Sequence, residues 1–576
     1  MKNTYLNIII SVISFAIILW FLLLNFGAER MPDEIPQVSQ WRNFFFRGMF
    51  ALPALAMLLF LRRKRAIEVL LWSICVAATV EAVLGLMQLY GYRFSNHGIF
   101  RLTGSFYNPG PLGGYIAVAF PLVLSMVLKR LKYKVLHYTF VAVLVLYLIV
   151  LPSTMSRTAW LSALVASLYV VCFTTDYVKK MFSKLQTLFS KHQNRKVIVI
   201  SSTVLVLIAC VIGVWKIKSE SAFGRFFLWK ISSLAVMDSP ITGHDNFSVA
   251  YGEAQQRYFQ SKFPDNSYIN VGSEENLATV PDYAFNEYLN IAVEYGLPVL
   301  LLVIGALIMA FVFGHKRGRY GFCGGLIAFA VFAFASYPIH IPAFVAVLII
   351  LVAGAVWPEN DEPRLPKIVI CVVAMAFMAL CALRLGTFQQ RYESMKKWEK
   401  IRFLYSSKLY ERSAVSYSNL YDELKWNGRF LYEYGHSLFK TQKYLYAEEV
   451  LLKSSRLSGD PMIWNVIGEC EQAIYGFAAA EQYYLRSLYC LPSRMYPYYL
   501  LYKLYCQEGF YNPNKRKSVY KTIVSMPVKI KSPAIDEMLN EVKATEPTLK
   551  QRDEEYYHYQ NYIRRIPPYF HRPSDI

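Results

Sequence analysis

The chain has 576 residues, 55% of them hydrophobic and 16% aromatic, with only 18% charged. Its formal net charge is +21, but most of that surplus stands in short loops between apolar blocks or in the C-terminal tail, which excludes nucleic acid as a partner and fits membrane orientation. Nine cysteines form no CxxC pair and no metal-ligand spacing, so a zinc module and a dithiol redox centre are excluded as well.

Apolar blocks about 20 residues long, the length that spans a bilayer as a helix, dominate the chain before residue 386. In chain order, eleven spans are expected: about 6–24, 43–61, 66–89, 112–128, 135–151, 158–175, 197–215, 287–313, 321–336, 339–356 and 367–385. The first follows Lys2 and has no small-x-small site after it, which predicts an uncleaved anchor. With the N-terminus in the cytoplasm, the inside loops are RRKR (62–65), KRLKYK (129–134), the Lys-rich 176–196, HKRGR (315–319) and 358–367. The strongest basic clusters then share one side, as the positive-inside rule requires. The outside receives 25–42, 90–111, 152–157, the long loop 216–286, 337–338 and everything after 386.

Two domains are expected: a polytopic membrane domain, 1–385, with the external loop 216–286, and a periplasmic helical domain, 386–576. In the second, Gly435 and Gly468 stand 33 residues apart, as do Ala447 and Ala480. Together with Trp464 and Pro492 they follow the tetratricopeptide pattern, in which small residues let paired helices approach. The fold class is therefore all-α: about eleven transmembrane helices followed by a soluble tetratricopeptide-like domain. Such an array presents a concave surface to a protein partner; a plain helical cap is the simpler alternative. Cys470, Cys490 and Cys506 lie in this domain and can pair only in an oxidising compartment.

There is no Walker A loop, HExxH, GxSxG or dinucleotide fingerprint, and no metal or cofactor is expected. Charges inside spans are few, and the main ones are Arg47, Glu68, Glu81, Glu294 and Arg384. Of these Glu68 and Arg384 stand near span ends, where they reach the interface. The stretch PDYAFNEYLNIAVEYGLPVLLLVIG (281–305) opens a span with Asn286, Glu287, Asn290 and Glu294 within one roughly 100° sector. The plain reading is a helix cap, since acids are stabilised at a helix's positive end. On the external side, Arg101 precedes LTGSFYNPGPLGGY, Arg157 opens a span after PSTMS, and Arg225 lies in SAFGRFFLWKISS with Lys230 nearby. Arginine forks match phosphate oxygens, although contact with lipid headgroups would use them equally well. His97 and His340 stand on the same side without a supporting motif.

These stretches carry a resemblance. FRLTGSFYNPGPLGGYIAVAFPL, STMSRTAWLSALV, FGRFFLWKISSLAVMDSPITGHDNF and FNEYLNIAVEYGLPVLLL resemble, in order, four segments of the O-antigen ligase/polymerase superfamily. The resemblance covers about residues 95–310. It implies a membrane-embedded glycosyltransferase fold that moves a glycan from a polyprenyl-pyrophosphate donor to an acceptor hydroxyl outside the inner membrane. The partners it implies are membrane lipid, the polyprenyl-pyrophosphate-linked glycan, and a lipid, glycan or protein acceptor. Arg101, Arg157 and Arg225 would hold the pyrophosphate, with Asn108 and Asn286 lining the substrate cavity. The ligases place a histidine, their expected general base, immediately before the asparagine; here that position is Phe285. Glu287, or His244 beside Asp245, would then accept the proton, in an inverting transfer without metal. Polymerase and protein O-oligosaccharyltransferase activities are alternatives within this class. A lipid-linked glycan transporter and a non-enzymatic membrane scaffold are alternatives outside it.

Overall fold

The computed structural model of the chain describes residues 2–26, 35–59, 61, 63–129, 131, 133–175, 219–263, 272–358, 367–528 and 531–565. The expected span 197–215, the basic loop 176–196 and the last residues from 566 lie outside them. No strand occurs among the described residues, and the fold is all-α. The helices run α1 (Lys2–Leu22), α2 (Ile35–Leu58), α3 (Arg63–Leu89), α4 (Pro109–Leu128), α5 (Lys134–Ser153), α6 (Arg157–Thr174), α7 (Ser219–Asp238), α8 (Phe247–Lys262), α9 (Ser273–Leu277) and α10 (Glu287–Lys316). They continue with α11 (Tyr320–Ala333), a 3-10 turn at Pro338–His340, α12 (Pro342–Val356) and the long α13 (Lys367–Ser406). Beyond it stand α14 (Tyr410–Ser418), α15 (Tyr421–Leu424), α16 (Gly428–Lys440), α17 (Tyr444–Ser455), α18 (Met462–Ile474), α19 (Phe477–Cys490), α20 (Met495–Tyr505), α21 (Pro513–Ser525), α22 (Pro533–Thr545) and α23 (Lys550–Arg565).

Every expected span inside the described residues coincides with a helix. Among the described residues, seven helices can cross a membrane by length and composition: α1, α3, α4, α5, α6, α10 and α13. α11 and α12 are shorter apolar helices, and α2 carries Arg42, Arg47 and Pro53 along its length. Asparagine starts several helices by accepting an orphan backbone N–H. Asn108 caps α4 through Gly110 N (2.9 Å), just ahead of Pro109. Asn246 caps α8, Asn427 caps α16 and Asn512 caps α21 in the same way.

The chain packs as two compact units: 1–222 with 240–243 and 283–397, and 223–239 with 244–282 and 398–576. In the first unit α4 is central, packed on α3, α5, α6 and α11, and most of its residues are buried. Small residues permit the close approach that membrane helices use for van der Waals contact. A Cβ on Gly114 would enter the Phe332 ring, and one on Gly324 would stand 2.7 Å from Pro121. The two most buried arginines of this unit close helix ends. Arg47 donates from Nη1 to the carbonyls of Trp20 (2.8 Å) and Leu23 (2.6 Å) and from Nη2 to Phe26 (3.0 Å), at the end of α1. Arg319 likewise bonds Gly354, Ala355 and Trp357 at the end of α12. Cations belong at these negative ends.

The second unit contains two consecutive helical hairpins, α16–α17 and α18–α19, at the expected 33-residue offset. Gly435 lies against Leu451, and its counterpart Gly468 against Tyr484; Ala447 and Ala480 are fully buried. Most of the loop after α7 packs with these helices. Gln255 on α8 bonds the carbonyl of Cys490 and that of Thr279, and Asn246 Nδ2 bonds Leu457 O at 3.2 Å. Arg516, wholly buried, bonds Asp553 at 2.8 Å and Glu546 at 3.2 Å. Cys75, Cys172, Cys323, Cys381, Cys470, Cys490 and Cys506 are free thiols.

Two groups make this unit acid-sensitive. Burial, with Lys440 nearby, pushes His436 from 6.5 down to about 4. Hydrogen bonds from Lys230, then Tyr258 and Lys262, hold Glu274 down at about 2. A depressed folded value stabilises above the unfolded value and is lost as pH falls through the folded one. Thermal scans of the detergent-solubilised chain should therefore show this unit melting progressively lower from pH 6.5 to 4, with the Glu274 contribution going between about 4 and 2. His436→Gln should flatten the upper part of that curve. An unchanged midpoint between pH 7 and 4 would contradict it.

Candidate active site

The polar stripe that opens α10 is built by a turn. Phe285 takes a left-handed backbone, φ 49°, and its ring meets Tyr337 edge-on at 5.3 Å. The turn points the Ala284 N–H at Asn290, whose Oδ1 accepts it at 3.1 Å. Asn286 is the helix cap: its Oδ1 accepts from Tyr288 N (3.1 Å) and Leu289 N (3.2 Å).

Glu287 does not cap. Its side chain crosses to the segment between α11 and α12, where Oε1 accepts the Ile339 N–H at 2.6 Å and faces His340 Nδ1 at 3.3 Å. Glu287 is 1% exposed, and its second oxygen, Oε2, is buried without a hydrogen-bond partner among the described residues. An orphaned carboxylate oxygen is costly unless something binds it. His340 also faces Asn290, with Nε2 3.4 Å from Nδ2. Because Asn290 Oδ1 is already an acceptor, Nδ2 donates to His340 Nε2. Nδ1 must then carry the proton that His340 shares with Glu287. One relay follows: Ala284 N–H to Asn290, Asn290 to His340, His340 to Glu287. The Tyr283 ring packs on His340 (4.3 Å) and stacks on Tyr337 (5.2 Å, 10°).

Downstream, α10 is broken at Gly296, which has φ 81° and ψ 169°, a conformation essentially confined to glycine. Leu297 N there bonds Pro240 O at 2.8 Å, replacing a helix bond. Gly243, φ 73°, lies against the Glu294 carbonyl. The Pro240–Gly243 turn and the Glu294–Leu297 stretch of α10 thus lock together through backbone.

Gln37 at the start of α2 donates to Tyr283 OH at 2.9 Å. Phe106, from the loop after α3, packs on Phe344 (6.0 Å), four residues beyond His340. The 101–108 loop, the start of α10 and the start of α12 therefore share one end of the first unit. The intramembrane carboxylate Glu81 belongs to that loop's framework: Ser105 donates to it from N at 2.9 Å and from Oγ at 2.5 Å. Asn286 and Glu287 are adjacent as expected. Asn108 is exposed, its side chain engaged as the α4 cap, and Arg101 is exposed. Arg157 is the first residue of α6 and half-buried.

Arg225 and His244 lie in the second unit. Arg225 is half-buried on α7. His244 Nε2 donates to Ala235 O at 2.9 Å, which leaves Nδ1 as its open nitrogen. Lys230, near Arg225 in sequence, is committed to Glu274 at 2.9 Å. Among the described residues, no three His, Cys, Asp or Glu side chains converge as metal ligands.

His340 is the participant that sequence reasoning passed over. It stands 53 residues from Glu287, and its one local signal is PIHIP, a histidine between prolines at the start of a span. A search among curated proteins finds no match. Over residues 110–304, which hold α4, the Gly243 turn and Glu287, the chain matches the O-antigen ligase family model and is similar to the enzymes it describes.

Proposed function

We propose that the protein is a glycosyltransferase that moves a glycan from a polyprenyl-pyrophosphate donor to an acceptor hydroxyl at the outer face of a bacterial inner membrane. The observation that carries the reading is the Glu287 carboxylate. It is buried, fixed at one oxygen by Ile339 and His340 and unpartnered at the other among the described residues, within the segment that matches the ligases. The acceptor oxygen attacks the anomeric carbon, the bond to the pyrophosphate oxygen breaks, and the pyrophosphate leaves with the electron pair. The acceptor proton passes to Glu287 Oε2, and attack from the face opposite the leaving group inverts the centre. Arginines would neutralise the departing charge in place of a metal. Those roles for Arg157, Arg225 and Arg101, and any role for His244, rest on the sequence resemblance.

Sidedness is supported by packing within the second unit. The loop between residues 223 and 282 and the tail after 398 form one compact body, so they share a side. That requires an even number of crossings between them, and four crossings by α10, α11, α12 and α13 would meet it. The helical hairpins at 428–490 fit a tetratricopeptide-like surface for a partner or a protein acceptor. Arg225→Ala and Arg157→Ala should each cut transfer about a hundredfold or more, as removal of a transition-state charge partner does, while membrane levels stay normal. Full activity in both variants would remove the arginine scheme.

A further inference from the structure

The first unit holds a polar cavity of about 180 Å³ between the end of α1 and the loop after α3. Its walls include Asn25, Gln88, Arg93, Asn96 and Tyr107, with Phe26 and Phe94. Gln88 and the Asn96 amide nitrogen are committed to the backbone of the loop. Gln88 accepts from Thr103 N (2.9 Å) and Gly104 N (2.7 Å) and donates to Gly104 O (2.8 Å). Asn96 Nδ2 donates to Ser105 O at 3.1 Å.

Asn25 is the exception. It is 7% exposed, and neither its amide nitrogen nor its oxygen has a hydrogen-bond partner among the described residues. The turn that carries it is pinned, because Arg47 holds the carbonyls of Leu23 and Phe26 on either side. A leucine would fit such a place at lower cost, since a buried amide with no partner lowers stability. The amide is worth keeping if a ligand completes it.

We propose that this cavity binds one sugar residue of the glycan next to the transferred bond, through the Asn25 amide and the Arg93 guanidinium. Asn25 offers donors and an acceptor together, which suits a hydroxyl pair or an acetamido group. Arg93 is exposed at the mouth and adds a positive donor for a hydroxyl or a sugar carboxylate. Among the described residues no carboxylate lines the cavity, and Arg93 makes it a better place for a neutral or anionic group than for a cation. The volume suits a single ring rather than an oligosaccharide, and pockets for larger ligands start at about 300 Å³. The place is right too: Ser105 and Tyr107 line the cavity, and Phe106 between them packs on Phe344 of α12.

This inference rests on the glycosyl-transfer reading, and the experiment separates the two. The full chain in detergent is titrated with undecaprenyl pyrophosphate, with the same lipid carrying N-acetylglucosamine, galactose or glucose, and with the matching free disaccharides. Wild type should bind one sugar-bearing lipid at least tenfold tighter than the bare lipid. Asn25→Leu should erase that preference and leave bare-lipid binding unchanged, while its melting temperature does not fall. Arg93→Ala, at an exposed position, should weaken the preference without a folding effect. A preference seen only with a free disaccharide supports the cavity and assigns it to the acceptor. Retention of the preference in Asn25→Leu, or no sugar preference in wild type, overturns the inference and leaves a water-filled cavity. Failure of wild type to bind any of the lipids overturns the transfer reading with it.

Discussion

Glu287→Gln should lower glycan transfer by about a hundred- to ten-thousandfold, the range expected when a positioned base is lost, with the protein still at its normal level in the membrane. Glutamine keeps the shape of the side chain and an oxygen for the Ile339 N–H, so the turn at 284–290 should survive. What it removes is the anionic oxygen at Oε2. His340→Ala should cost less, about ten- to hundredfold, the equivalent of one charge-assisted hydrogen bond. The double variant should be no worse than Glu287→Gln alone, because residues that act as one unit are not additive. Transfer rates in isolated membranes test all three. Multiplying defects would mean that His340 serves a separate step. Unchanged transfer by Glu287→Gln would leave the carboxylate a structural strut between α10 and the 3-10 turn.

Gly296→Ala should be the most damaging single-methyl change at the site. Its φ of 81° strains any side chain by about 1–3 kcal/mol, and the added Cβ would run into the Ile241 carbonyl oxygen. Backbone cannot give way as the end of a flexible side chain can. The Pro240–Gly243 segment would be pushed off α10, with loss of the Leu297 N to Pro240 O bond. The steady-state amount in the membrane should drop several-fold, as it does for losses of that size, and proteinase K, which cuts exposed backbone with little sequence preference, should nick the 240–246 region faster. Gly305→Ala is the control: it lies farther along the same helix, where an added Cβ meets nothing within 4 Å. Equal levels and equal cleavage for the two variants would contradict the backbone lock.

Much of the membrane unit was legible because its signal is local. Runs of apolar residues mark spans whatever their neighbours do, and asparagine before such a run marks a cap, as at Asn286. The 33-residue spacing of Gly435 and Gly468 was legible for the same reason: each glycine makes room for a side chain on the partner helix of its own hairpin. The site was legible only on one strand of the argument. Glu287 stands out as a carboxylate on an apolar helix, but its partner His340 arrives through a tertiary contact that no spacing encodes. A histidine was sought next to Asn286, where Phe285 instead supplies the left-handed turn. Sequence reasoning placed the loop 216–286 with the membrane domain, whereas most of it packs with the tail helices through contacts such as Gln255 with Cys490. Loop sequences rich in polar residues carry no mark of what they dock against. Glu81 is a charge inside a span, but nothing in its sequence neighbourhood marks Ser105, 24 residues on, as the group that bonds both its oxygens.

The measurement that bears most directly on the central claim is transfer by purified wild-type protein in liposomes, with a radiolabelled glycan on undecaprenyl pyrophosphate and lipid, glycan and peptide acceptors offered together. The account predicts label in one acceptor, release of undecaprenyl pyrophosphate in equal amount, and neither product with Glu287→Gln. Label that crosses the bilayer still attached to its lipid, with no acceptor marked and no difference between wild type and Glu287→Gln, would contradict it.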